Sequence, residues 1–168
     1  MGKARLNDYR IDIQGLSNNT HDFEFEFDDD FFSLFENSLV SKGNGHCSIE
    51  LTKTDSMITL KFEVKGEVEL ICDRSLDPFS HPLEVAQEIR YKYGIEEKEL
   101  SEDVFVILQD TQSLNVALPL YEFISLEVPM KKLHPRFEGE ESEDIIYQSE
   151  DEKKDEIDPR WEALKKLK

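Results

Sequence analysis

Apolar and polar residues alternate one for one through most of the N-terminal half of the chain, and a period of two predicts strands. Tyr9, Ile11 and Ile13 alternate with Arg10, Asp12 and Gln14 in a first strand, and Gly15 to Thr20 reads as a turn. In Phe23-Glu24-Phe25-Glu26-Phe27 the three rings take one face and the carboxylates the other. Asp28 then stands where a helix N-cap belongs, and Asp29 and Asp30 suit the positive end of a helix dipole. Phe31, Leu34 and Phe35, at i, i+3 and i+4, give that short helix one apolar side. Ser41 to Gly45, with two glycines and an asparagine, reads as a loop.

Cys47, Ile49 and Leu51 resume the alternation, and Ile58, Leu60, Phe62 and Val64 follow after Asp55-Ser56, the pattern of a hairpin. Gly66 is expected at a bulge, with Val68, Leu70 and Cys72 continuing beyond it. Leu83 to Tyr93 sets propensity against periodicity. Its middle residues favour a helix, yet Leu83, Val85, Ile89, Tyr91 and Tyr93 all fall on odd positions, which predicts a strand. Val104 to Leu108 is a continuous apolar run, expected to be a buried strand. Over Asn115–Leu126 the spacing changes to helical: Val116, Leu120 and Phe123, with Ile124 or Leu126, form a stripe. Asn115 is the expected cap, Pro119 is tolerable in the first turn, and Pro129 marks the stop. These elements predict an α+β fold, mainly antiparallel sheet and barrel-like, with a few short helices, over residues 1–137.

Residues 138–157 are acidic and poor in apolar side chains, the composition of a flexible linker. Asp158-Pro159 then supplies an N-cap with proline behind it, and Trp161, Leu164 and Leu167 share one side of a short helix over 158–168. So short a helix needs a surface to dock on, in its own chain or a partner, and Trp161 is its natural anchor.

Charge narrows the function. The chain of 168 residues has a net charge of −18. Residues 1–137 carry 14 basic and 26 acidic side chains, a net −12, and residues 138–168 carry 6 and 12, a net −6, so the excess is spread over the whole chain. Such a surface repels phosphate backbones and attracts basic proteins. The one basic cluster outside the C-terminal segment is Lys131, Lys132 and Arg136, the candidate RNA contact. The first residues are polar and no apolar run suits a membrane, which together with two cysteines predicts a cytoplasmic protein.

Motifs for chemistry are sparse. Cys72-Asp73-Arg74-Ser75 has the spacing of a zinc knuckle with serine in the second position, and serine is a poor zinc ligand. His46 and Cys47 are adjacent on a strand and point to opposite faces. Neither a nucleophile elbow nor a phosphate-cradling glycine loop is present. Arg74 beside Cys72 leaves open a reactive thiol, the one enzymatic reading the residues offer. No cofactor, metal or catalytic residue is expected.

Three segments in order carry a resemblance. They are Cys72-Asp73-Arg74-Ser75-Leu76-Asp77-Pro78-Phe79, Leu118 to Met130 with His134-Pro135 behind it, and Asp158-Pro159-Arg160-Trp161 to Leu167. Together they resemble the YceD-like family, the large ribosomal RNA subunit accumulation proteins. The resemblance implies a non-enzymatic, bacterial ribosome-biogenesis factor supporting 23S ribosomal RNA. Its genes often lie beside that of a small basic large-subunit ribosomal protein, so the implied partner is such a protein or a pre-ribosomal particle. Direct RNA binding and a plain interaction scaffold are the alternatives. The implied motif and partner-contact residues are Cys72, Asp73, Arg74, Leu76, Pro78, Pro159, Arg160 and Trp161. Many members carry a second cysteine where Ser75 stands, so no metal role transfers to this chain.

Overall fold

The computed structural model describes residues 5–137, and contacts divide the chain after Arg136. The expected linker over 138–157 and helix over 158–168 lie outside the described residues. A 3-10 turn at Leu6–Tyr9 leads into β1 (Arg10–Asp12) and β2 (Thr20–Phe27), followed by α1 (Asp29–Phe32). Then come β3 (Gly43–Lys53), β4 (Met57–Ile71), β5 (Pro78–Gly94), β6 (Lys98–Ser101), β7 (Val104–Leu108), β8 (Ser113–Asn115), α2 (Ala117–Glu127) and a 3-10 turn at Pro135–Phe137. Six strands form one sheet in the order β2-β3-β4-β5-β7-β6, and β1 and β8 form a separate pair. All neighbours are antiparallel except β5 and β7. Among the described residues no closed barrel forms, because β2 and β6 each pair on one side only.

Alternation decides which face is buried. On β4 the even residues Ile58, Leu60, Phe62, Val64, Val68 and Leu70 are buried, and across the ladders they meet Cys47, Ile49 and Leu51 of β3 and Phe79, Val85, Ile89 and Tyr91 of β5. Each such side chain removed from water contributes about 1.5–3 kcal/mol before chain entropy is set against it. The strand over Leu83–Tyr93 is therefore correct, and it is longer than periodicity alone indicated. The N-terminal rings close one end of the core. Asp28 caps α1 by accepting from the Phe31 amide at 3.2 Å, as expected. The helix stops after one turn, however, so the buried pair is Phe31 with Phe32, while Leu34 and Phe35 are half-buried. Phe31 and Phe32 pack against Phe27, Phe31 also meets Tyr9 at 4.9 Å, and Phe35 stacks on Tyr121 of α2 at 4.1 Å.

Several expectations need correction. The predicted loop at Ser41–Gly45 gives way to strand from Gly43, and the predicted bulge at Gly66 is absent: Gly45 and Gly66 lie opposite each other and the register runs unbroken on both sides of β4. These glycines permit close approach. A Cβ on Gly66 would lie 2.3 Å from the Asn44 carbonyl oxygen, and one on Gly45 would lie 2.5 Å from the Phe27 ring. β7 is mostly half-buried, with Ile107 its buried residue, because its inner face is only partly covered. β6 and β8 are too short for periodicity to reveal. Asn115 ends β8 and is not the cap of α2: Val116 holds that position without a side-chain cap bond, and Asn115, one residue earlier, accepts from the Ala117 amide through Oδ1 at 2.9 Å. α2 buries Ala117, Leu120 and Ile124, whereas Leu126 is 80% exposed.

The glycine crossing gives a direct test. Gly66→Ala is expected to destabilise the fold by about 1–3 kcal/mol, read from the urea midpoint, because backbone on both sides must move. Gly15→Ala, where a Cβ meets nothing within 4 Å, should stay within about 0.5 kcal/mol of the parent. Equal effects at the two positions would contradict the close crossing.

Candidate functional site

β4 delivers Cys72 to the end of the sheet, and the chain then reverses in a tight turn before β5. The Leu76 amide donates to the Cys72 carbonyl at 2.9 Å, and the Cys72 amide donates to the Asp77 carbonyl at 2.9 Å. Leu76 sits at φ 60°, a left-handed conformation that is costly for leucine, and its side chain is 75% exposed. Pro78 opens β5 opposite Ile71.

The segment after α2 is fastened onto this turn. The Asp73 amide donates to the Lys132 carbonyl at 2.8 Å, and the Lys132 amide donates to Asp73 Oδ2 at 2.7 Å. The His134 amide donates to the Cys72 sulfur at 3.3 Å, and the His134 ring lies 5.7 Å from the Phe79 ring. Arg136 forms an ion pair with Asp77, and its amide donates to His134 Nδ1 at 3.1 Å, which requires that nitrogen to be deprotonated. Two stretches some sixty residues apart in sequence therefore form one clasp.

Cys72 is a free, fully buried thiol. Burial raises its pKa, but the Ser75 hydroxyl and the amides of His134, Ser75 and Arg74 favour the thiolate, and the balance falls from the ordinary 9.0 to about 7. The Ser75 hydroxyl is sealed from solvent beside the sulfur and the Asp77 carboxylate. Its single proton favours the charged form of both, and its geometry falls short of a full hydrogen bond to either. Arg136, and after it Ser75, hold Asp77 below the usual carboxylate range. Cys47 behaves in the opposite way: with burial alone acting, its thiol is pushed up to about 12.

The structure brings together Cys72, Asp73, Lys132 and Arg136 among the residues singled out from sequence. Lys131 and Arg74 are exposed, and Pro159, Arg160 and Trp161 lie outside the described residues. Sequence reasoning left Asp77 and His134 out of the candidate residues, although both stand in the motifs quoted for the resemblance. What identifies them is a backbone amide aimed at sulfur and an ion pair across the clasp, neither of which leaves a trace in local spacing. The His134 ring takes its hydrogen bond from Arg136, so it is the His134 backbone, not its imidazole, that meets the thiol. Among the described residues, no group of three or more His, Cys, Asp or Glu side chains is placed to hold a metal ion, and no helix is long and apolar enough to cross a membrane.

The stretch of chain that builds this turn and the post-helical segment falls within a protein class known from sequence. Residues 60–168 match the family model described as "Large ribosomal RNA subunit accumulation protein YceD". The chain belongs to the YceD family. It is also 28% identical over 115 residues to YlbN of Bacillus subtilis (strain 168), described as an uncharacterized protein, in a match covering 66% of each chain, just under two thirds of that relative. No solved structure matches. The family is thus described by the accumulation of large-subunit ribosomal RNA and not by a reaction.

The lowered thiol pKa fixes the sign of a pH effect. The folded thiol ionises near 7 and the unfolded one near 9.0, so the stability it adds is fully present above the unfolded value and is lost as pH falls through about 7. Cys72→Ala should therefore lower the urea midpoint more near pH 9 than near pH 6. A difference that does not change with pH would mean that the four donors do not favour the thiolate.

Proposed function

We propose that this chain is a non-enzymatic ribosome-biogenesis factor. It supports accumulation of 23S ribosomal RNA by binding a basic large-subunit ribosomal protein, free or within a pre-ribosomal particle. The observation that carries the protein-contact reading is the charge on the outer face of the sheet. Asp22, Glu24 and Glu26 of β2, Glu63 and Glu67 of β4 and Glu84 of β5 all point away from the core. On this outer face of β2 to β5, Lys65 and Lys92 are the cations besides those in the Lys61–Glu50 and Arg90–Glu88 ion pairs, Lys53 of β3 lying in register with the buried Ile58. Such a field draws in a polycation and opposes a polyphosphate.

Two features of the clasp support the same reading. The Arg136 guanidinium already faces Asp77, and the Lys132 backbone is bound at Asp73, so the cluster named as an RNA contact is partly engaged within the fold. The Cys72 sulfur has no surface open to solvent, which suits a structural thiol better than a nucleophile.

The test is a pull-down with the tagged full-length chain at low salt from nuclease-treated extract. A basic large-subunit ribosomal protein should be retained and should elute as salt rises. Purified 23S ribosomal RNA fragments should show no saturable binding. Selective capture of bare RNA, lost on replacing Lys131, Lys132 and Arg136 with alanine, would overturn the protein-contact reading in favour of direct RNA recognition.

A further inference from the structure

α2 is apolar on nearly every side. Leu120 and Ile124 are buried, Phe123 meets Phe62 edge-on at 5.2 Å, and Tyr121 stacks on Phe35 at 4.1 Å. Leu118 and Leu126, with Glu122 between them, form one stripe along the helix and are 54% and 80% exposed. Beside this stripe no described residue covers the inner face of the sheet. Gln87 is exposed although it lies opposite the buried Phe62, and Tyr91 stacks on a half-buried Phe105 at 5.7 Å. The result is an open groove of 1150 Å³ with a mainly apolar lining.

Its rim has one sign of charge. Glu99, Glu102 and Asp103 line it from β6 and the turn that follows, Glu122 lines it from α2, and among the described residues no lysine or arginine lines it. The local field is visible at Tyr91, whose phenol is pushed up to about 12 by burial and by the Glu122 carboxylate. An apolar trough is the usual seat of an amphipathic helix, and its acidic border selects a helix flanked by cations.

We propose that this groove binds a cationic amphipathic helical segment of a basic protein. The apolar face of that helix would lie against Leu118, Leu126, Tyr91 and Phe105, and its lysines or arginines would meet the four carboxylates. This deepens the protein-contact reading and rests on it for the basic character of the partner: the acidic outer face attracts the partner at a distance, and the groove seats one helix of it.

The probe is a labelled leucine–lysine peptide of about five helical turns, titrated into the full-length chain and followed by fluorescence anisotropy. A leucine–glutamate peptide of the same spacing is the control. The leucine–lysine peptide should bind in a salt-sensitive manner and the control should not. Leu118→Ser with Leu126→Ser, both exposed and so harmless to the core, should weaken binding about tenfold or more. Glu99→Gln with Glu122→Gln should weaken it severalfold, and Glu24→Gln with Glu26→Gln on the outer face should leave it unchanged.

Absent binding, or equal loss from the outer-face variants, overturns the proposal. So does binding that appears only when the chain ends at Ile157, which would make residues 158–168 the occupant, or a concentration-dependent dimer dispersed by Leu126→Ser, which would make it a second copy. If groove variants still retain the basic ribosomal protein in the pull-down, the groove assignment fails and the proposed function stands. If the parent chain binds the peptide and retains no such protein, the reverse holds.

Discussion

Along β4, burial and exposure alternate from Ile58 to Leu70 without a change of phase, because the strand is paired in register with β3 on one side and β5 on the other. Backbone hydrogen bonds on both edges prevent a slip, and a slip of one residue would turn Leu60, Phe62 and Val64 out into water. The rest of the described structure is arranged around that strand. The inner face takes α2 and the N-terminal rings, the outer face is left to charge, and the end of the strand places Cys72 inside the turn that receives the post-helical segment. Even the glycine pair follows from it, since Gly45 and Gly66 allow two backbones and the Phe27 ring to meet without breaking the phase.

The same constraint separates stability from recognition. The core is made of aliphatic and aromatic side chains and the thiols of Cys47 and Cys72, and no other polar or charged residue of the described chain is buried with it. Ion pairs such as Lys61–Glu50 at 2.9 Å and Lys42–Glu69 at 3.0 Å lie at the surface, where solvent screening leaves each of them weak. The acidic excess therefore adds little to folding and opposes it slightly through self-repulsion. Its effect falls on what approaches the surface, which is why charge bears on partner choice and not on architecture.

Legibility in the sequence followed the length of each element and the side from which it was covered. β3, β4 and β5 are long, so their period of two outweighed the helix propensity of Glu84 to Ile89. Asp28 was legible as a cap because a cap depends on its immediate neighbours. The bulge assigned to Gly66 and the loop assigned to Ser41–Gly45 were misread for a shared reason. Glycine marks both a break in a strand and a close crossing between strands, and only the partner strand tells them apart. The stripe of α2 was read correctly at Leu120 and Ile124, but composition could not show that Leu118 and Leu126 would be left uncovered. The site was half legible: the cysteine turn and the cations after α2 stood out separately, and nothing in either predicted that they meet.

The sequence by itself determined the long strands from β2 to β5, their buried faces, the position of the first helix cap and a surface of one sign of charge. Each of these depends on residues within a few positions of one another or on a sum over the chain. Tertiary structure alone decided the parallel pairing of β7 with β5, the crossing at Gly45 and Gly66, the open trough beside α2, and the joining of Cys72, Asp73 and Asp77 to Lys132, His134 and Arg136. Those features arise from contacts between residues distant in sequence. What brings such residues together is the burial of the whole core, and no local pattern encodes it.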